Sequence, residues 1–254
     1  MAAASATQPI ALQLYSVRTL AAADLIDTLR SVAELGYPGV EFAGYHGVPV
    51  AEVRAALDQY GLKAVGAHVP YARFENEIDL ALEELNTLGC KNAAVPWLAP
   101  ELRPTTIEAA TALAVNLNVW GAHARAAGIR LGYHNHDFEF KSVGDQTVFD
   151  LLVELTDPEL VDFELDLGWI QFAGFDPAAM MERLSGRIPL VHVKDIAEGD
   201  FEAVPVGEGI LDWSALLKTA KASGAEWFIV EQDNPTDPIA EVGRSFLNLE
   251  GFLQ

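Results

Sequence analysis

The chain has 254 residues, half of them hydrophobic, and sixteen Lys and Arg against thirty-seven Asp and Glu give a formal charge of −21. Such an acidic surface repels nucleic-acid phosphates and anionic membranes, so neither is expected as a partner. No apolar run approaches the ~18 residues of a membrane helix, the single cysteine, Cys90, cannot form an internal disulfide, and the start MAAASATQ lacks the basic and apolar regions of a signal peptide.

These features predict a cytoplasmic protein with residues 1–8 as a loosely attached or disordered N-terminus and 9–254 as one catalytic domain. In chain order, β-rich runs fall at Ile10–Tyr15, Gly39–Phe42, Leu62–His68, Asn92–Val95, Ile129–His134, Val161–Asp166, Ile188–Val193 and Trp227–Glu231. Between them apolar residues recur at three-and-four spacing, as in Leu25, Ile26, Leu29, Val32 and again in Ile78, Leu82, Leu85, Leu88. Several of these helices stop at a glycine, among them Gly36, Gly61, Gly89, Gly128 and Gly224, which suits a left-handed helix cap. Cys90 follows one such stop, and packing explains it better than nucleophilic chemistry. Strict alternation of eight strands with about eight helices predicts an α/β protein, a single (β/α)8 TIM barrel. A doubly wound open sheet is the rival, but no Gly-x-Gly-x-x-Gly follows the first strand.

A barrel carries its site at the C-terminal ends of the strands. The residues found there are Gln13 and Tyr15, Glu41, His68, Trp97, His134 and His136, Asp166, His192 and Lys194, and Glu231 and Asp233. Mixed imidazole and carboxylate on successive strands suits one divalent ion such as zinc, manganese or cobalt. Each residue also has a plainer reading. Asp166 is able to cap the turn that follows it, and an isolated His192 between valines is more often a hydrogen-bonded core residue. Lys194 reads equally as an oxyanion or carboxylate holder and as a solvated lysine paired with Asp195. Alternation puts Glu164 on the same face as Asp166, and Lys194 on that of His192. Tyr15 with Gln13, and His68 with Tyr71, are placed to bind sugar hydroxyls; Trp97 and Trp169 offer flat faces. Glu208, in the glycine-bearing turn PVGEG, is a further substrate contact.

The segments DLGW, LVHVKD, VGEGILDW and FIVEQD together resemble the sugar-phosphate isomerase/epimerase family of xylose-isomerase-like barrels, which has AP endonuclease and inosose dehydratase relatives. The resemblance runs from ALQLYSVR to VEQD. It implies one divalent metal (Mn, Zn, Co or Mg), with Asp166, His192 and Glu231 as ligands. It also implies a small sugar or polyol substrate and leaves room for a homo-oligomer. The usual strand-five glutamate is replaced by His134 in His134-Asn135-His136, and Glu139 is taken as the fourth ligand in preference to His134. Trp169 stands where epimerases often have a histidine.

The implied activity is a sugar isomerase or epimerase moving a proton beside a carbonyl, with His134, His136, Glu231 and Lys194 as the catalytic set. At its unperturbed pKa a histidine would shuttle that proton near neutral pH. A dehydratase or lyase acting on an inosose or 3-keto-sugar is the alternative, ahead of a non-catalytic sugar-binding barrel. AP endonuclease activity is disfavoured by the charge and by too few clustered histidines.

Overall fold

The alternating segments fold close to their expected places. The computed structural model describes residues 9–254; the expectation for residues 1–8 lies outside them. The barrel strands are β1 (Ile10–Gln13), β2 (Gly39–Phe42), β3 (Lys63–His68), β4 (Asn92–Val95), β5 (Arg130–His134), β6 (Val161–Asp166), β7 (Leu190–Val193) and β8 (Trp227–Val230). All are parallel, each pairs with its neighbours in sequence, and β1 pairs with β8 to close the barrel.

The surrounding helices are α1 (Arg18–Ala23), α2 (Leu25–Glu34), α3 (Val50–Tyr60), α4 (Tyr71–Asn76), α5 (Ile78–Leu88), α6 (Ile107–Ala126), α7 (Val148–Leu155), α8 (Leu167–Phe172), α9 (Pro177–Arg183), α10 (Trp213–Ala222) and α11 (Pro238–Leu253). Local chemistry sets their ends. Asp24 caps α2 by accepting the Asp27 N–H at 2.9 Å, and Thr147 with Asp150 forms a reciprocal capping box on α7. Helices α3 and α5 stop at Gly61 and Gly89, both at φ +71°, where a side chain would be strained. Cys90 is buried and its thiol, pushed up to about 12 by burial, donates to the Asn92 carbonyl, so it packs rather than reacts. No helix among the described residues is long and apolar enough to cross a membrane.

The main core lies between strands and helices, and a second, small one lies inside the barrel. Side chains alternate across a strand, so Ala11, Val65, Leu190 and Ile229 face inward as an apolar floor, with Trp227 packed against it. One step toward the C-terminal end is a polar layer of Gln13, Glu41, Glu164 and His192, all buried. Room for it comes from Gly66, where a Cβ would collide with the Glu41 carboxylate. The next step up is the rim.

Strand β1 ends two residues before its expected limit. The Gln13 side chain accepts the Tyr15 N–H at 3.0 Å and caps a 3-10 turn over Leu14–Val17. That turn swings Tyr15 out to the mouth of the barrel, where it is 42% exposed.

Candidate active site at the barrel rim

The rim is built from the ends of β5, β6, β7 and β8. His134 closes β5, and the next residue fixes its position. The Asn135 amide accepts the Asp166 N–H at 3.0 Å and donates to the Asp166 carbonyl at 3.3 Å, extending the β5–β6 pairing through a side chain. Asp166 serves two purposes. Its Oδ1 accepts the Trp169 N–H at 3.0 Å and caps α8, while Oδ2 faces Lys194 Nζ at 2.9 Å.

His192 sits at the centre, fully buried. Its Nε2 meets Glu41 Oε2 and Glu164 Oε1 at 2.7 Å each within the polar layer. Its Nδ1 lies 2.8 Å from Glu231 Oε2 on the rim side. Burial works against charge on this ring, but Glu164 first, with Glu231 and Glu41, holds its pKa well above the usual value. Burial also raises the carboxylates. In Glu164 it is outweighed by His192 and His68, and in Glu231 by Lys194 and His192, so both stay well below the ordinary range. Glu41 is pushed up to about 7 by burial and by Glu164 beside it.

His134, Asp166, His192 and Glu231 present ligand atoms within 4.8 Å of one another, as do His68, His134, Glu164 and His192 in an overlapping group one layer down. Two observations fit a divalent ion at the upper group. Burial, and then His192, holds the His134 pKa well below its usual value, so its ring is a neutral lone-pair donor. Its Nδ1 is buried without a hydrogen-bond partner among the described residues. Two imidazoles and two carboxylates suit zinc, manganese or cobalt.

Three expectations need correction. Glu139 does not join either group: its Oε1 accepts from the Tyr133 hydroxyl at 2.8 Å and its Oε2 from the His136 N–H at 2.8 Å. A one-turn 3-10 helix over Phe138–Phe140 folds it back under β5, and His134 stands in its place. Lys194 is neither solvated nor paired with Asp195; it is buried among Asp166 at 2.9 Å, Glu231 at 3.1 Å and Asp233 at 3.2 Å. Glu208 points away, to Arg244 Nε at 3.0 Å. Asp195 is the reason, since its carboxylate accepts from the N–H of Ile196, Gly207, Gly209 and Leu211 and from the Trp213 indole, pinning the turn beneath Glu208.

Two further contacts also fall away. Gln13 is buried against Glu41, and the Tyr71 hydroxyl accepts from Asn116, so neither reaches the cavity. Burial drives His136 down to about 3 and His134 lower than usual, so neither is a shuttle titrating near neutral pH.

Above the rim opens a cavity of ≈ 630 Å³. His68, His134, His136, Glu231 and Asp233 supply its polar floor, and Tyr15, Trp97, Trp169 and Phe201 its walls. Tyr15, His68, Trp97 and Trp169 thus stand where sequence reasoning put them. Phe201 was not foreseen. It comes from a hairpin, Asp195–Ile196 with Ala203–Val204, and stacks on Trp169 with ring centroids 3.6 Å apart. Glu41 was expected at the strand ends and Glu164 on the face of Asp166; the structure brings both against His192 Nε2.

Residues 29–249 match the family described as xylose isomerase-like TIM barrel. An inosose dehydratase of Geobacillus kaustophilus is 31% identical over 199 residues, covering 69% of this chain and 63% of that enzyme. One from Clostridium beijerinckii is 27% identical over 80% of each chain. A solved structure of a sugar phosphate isomerase/epimerase from Parabacteroides distasonis superposes with a TM-score of 0.83 at 27% identity, covering 96% of this chain and 99% of that one.

Proposed function

The chain belongs to the xylose isomerase-like TIM barrel family, and from that premise we propose that it is a metal-dependent lyase that dehydrates a cyclic keto-sugar or keto-polyol. His134, Asp166, His192 and Glu231 hold the ion. When bound, the ion supplies Lewis acidity toward the oxygens beside the reacting carbon.

The residues do the rest. Glu231, ionised at neutral pH and lining the cavity, takes the proton beside the carbonyl. Asp233 lines the same cavity, and with burial raising its carboxyl pKa it gives the departing hydroxyl its proton so that it leaves as water; Lys194, buried 3.2 Å from it, balances the charge left on the carboxylate. His136 and the Trp169 indole N–H orient hydroxyls, since His136 Nδ1 and Trp169 Nε1 have no hydrogen-bond partner among the described residues; His68 lines the same cavity with its Nε2 turned to Glu164 Oε2 at 3.3 Å.

One observation carries dehydration over epimerisation. Epimerisation needs a base on each face of the reacting carbon, and the strand-five carboxylate that would provide the second, Glu139, is bound to Tyr133 and His136 instead. The two dehydratase relatives support the same reading. The epimerase reading keeps support from the Parabacteroides structure and shares the first proton transfer.

The test is to incubate the manganese-loaded protein in D2O with an inosose and with methyl 3-keto-glucoside. Dehydration gives an enone absorbance and loss of water from the product mass. Deuterium entering a product of unchanged composition would establish epimerisation. Ligand binding without turnover, unchanged in Glu231→Gln, would establish a binding protein.

A further inference from the structure

Resting on the reading of the site as one for a cyclic ketone, we propose that its substrate carries a second ring, and that the outer cavity is a subsite for that ring in an unphosphorylated glycoside.

Size is the first argument. At about 30 Å³ per water, ≈ 630 Å³ equals some twenty waters. A hexose, with roughly a dozen heavy atoms of about that size or less, fills on the order of half of it. The remainder is not a loose hydration layer, because its walls are flat and apolar.

The walls are the second argument. Trp169 and Phe201 form one face, stacked within 3° of parallel. Trp97, 48% exposed, and Tyr15 stand at the mouth, with Pro70 and Pro96 lining it from the segments that follow β3 and β4. The exposed faces are braced from behind. Arg103 lies 5.1 Å from the Trp97 ring and donates to the Leu98 carbonyl. Arg18 lies 4.2 Å from the Tyr15 ring and donates to the carbonyls of Tyr15 and Asp233 and to Asn234. Rigid aromatic platforms of this kind bind flat rings by area burial and stacking.

Charge excludes the other occupant. Among the described residues no lysine or arginine lines the cavity, whereas Glu231 and Asp233 do. The buried cation beneath it, Lys194, already faces three carboxylates. In the outer cavity, away from the ion, a phosphate dianion would meet like charge and no free cationic side chain.

Binding of unreactive probes to the manganese-loaded full chain, measured by calorimetry, tests this without turnover. Phenyl β-glucoside and cellobiose carry a second ring, methyl β-glucoside does not, and glucose 6-phosphate carries the charge. Phenyl glucoside or cellobiose should bind about tenfold tighter than methyl glucoside, and which of the two leads identifies the second ring as aryl or sugar. Trp97→Ala or Phe201→Ala should bring the two-ring probe down to the methyl glucoside level. Equal affinity for one-ring and two-ring probes, a preference that survives both substitutions, tightest binding of glucose 6-phosphate, or no binding of any glycoside would each overturn the subsite. If ketones are not turned over but the two-ring preference holds, the proposed chemistry fails and the subsite stands.

Discussion

Glu164 Oε1 lies 2.7 Å from Nε2 of His192, one layer below the rim. With Glu41 at the same distance, it holds the proton on Nε2 and turns Nδ1 toward Glu231 and the cavity. Outer partners of this kind orient a ligating imidazole and raise its basicity.

Glu164→Gln should therefore fold and keep its metal stoichiometry, while manganese affinity falls about 10–100-fold. Isothermal titration with a thermal melt checks it; unaltered affinity would mean that His192 needs no carboxylate at its Nε2.

His134 and Glu139 can be separated directly. His134→Ala should lose most of its bound metal and at least about a hundredfold in turnover, whereas Glu139→Gln should retain one ion per chain. Metal analysis after gel filtration decides between them, and the reverse pattern would restore Glu139 as the ligand.

Lys194 shares the oxygens of Asp166 and Glu231 with any ion bound there. Removing one partner of a buried ion network costs about 3–5 kcal/mol, so Lys194→Met should be strongly destabilised without metal. Manganese should then raise its melting temperature more than that of the wild type, since the ion replaces the lost charge. An identical shift in both proteins would show that lysine and ion do not compete.

The Asp195 carboxylate accepts from five donors spread over residues 196–213. Asp195→Asn replaces one oxygen with a donor group and should cost about 3 kcal/mol, roughly 6–12 °C in melting temperature. The Phe201 hairpin starts at this residue, so the affinity for two-ring glycosides should fall as well.

Burial pushes Glu139 up to about 7 from an ordinary value of 4.5. Between these values the folded chain holds a proton that the unfolded chain has released, so its contribution to stability falls as pH rises through the window. The slope is at most about 1.4 kcal/mol per pH unit. Urea midpoints at pH 5, 6 and 7 should converge on a flatter line in Glu139→Gln. A slope that the substitution leaves unchanged would place the titration elsewhere.

Much of the barrel was legible because two periodicities write it into the chain. Alternating runs separated by amphipathic helices predict all eight strands, and the observed limits differ by one or two residues where a local competitor intervenes. The Gln13 side chain ends β1 early, and β7 starts at Leu190, after Pro189. The shared face of Glu164 with Asp166, and of His192 with Lys194, also followed from period two.

By itself, then, the sequence determined the fold class and which strand-end residues face the barrel axis, because strand alternation is a local property of the backbone. Only the tertiary structure decided their partners. Glu139 turned to Tyr133, Lys194 to three carboxylates, Glu208 to Arg244 and Phe201 onto Trp169. Each of these side chains sits at or beyond a strand end, where no ladder dictates direction and the outcome depends on which donors and rings distant segments bring within reach.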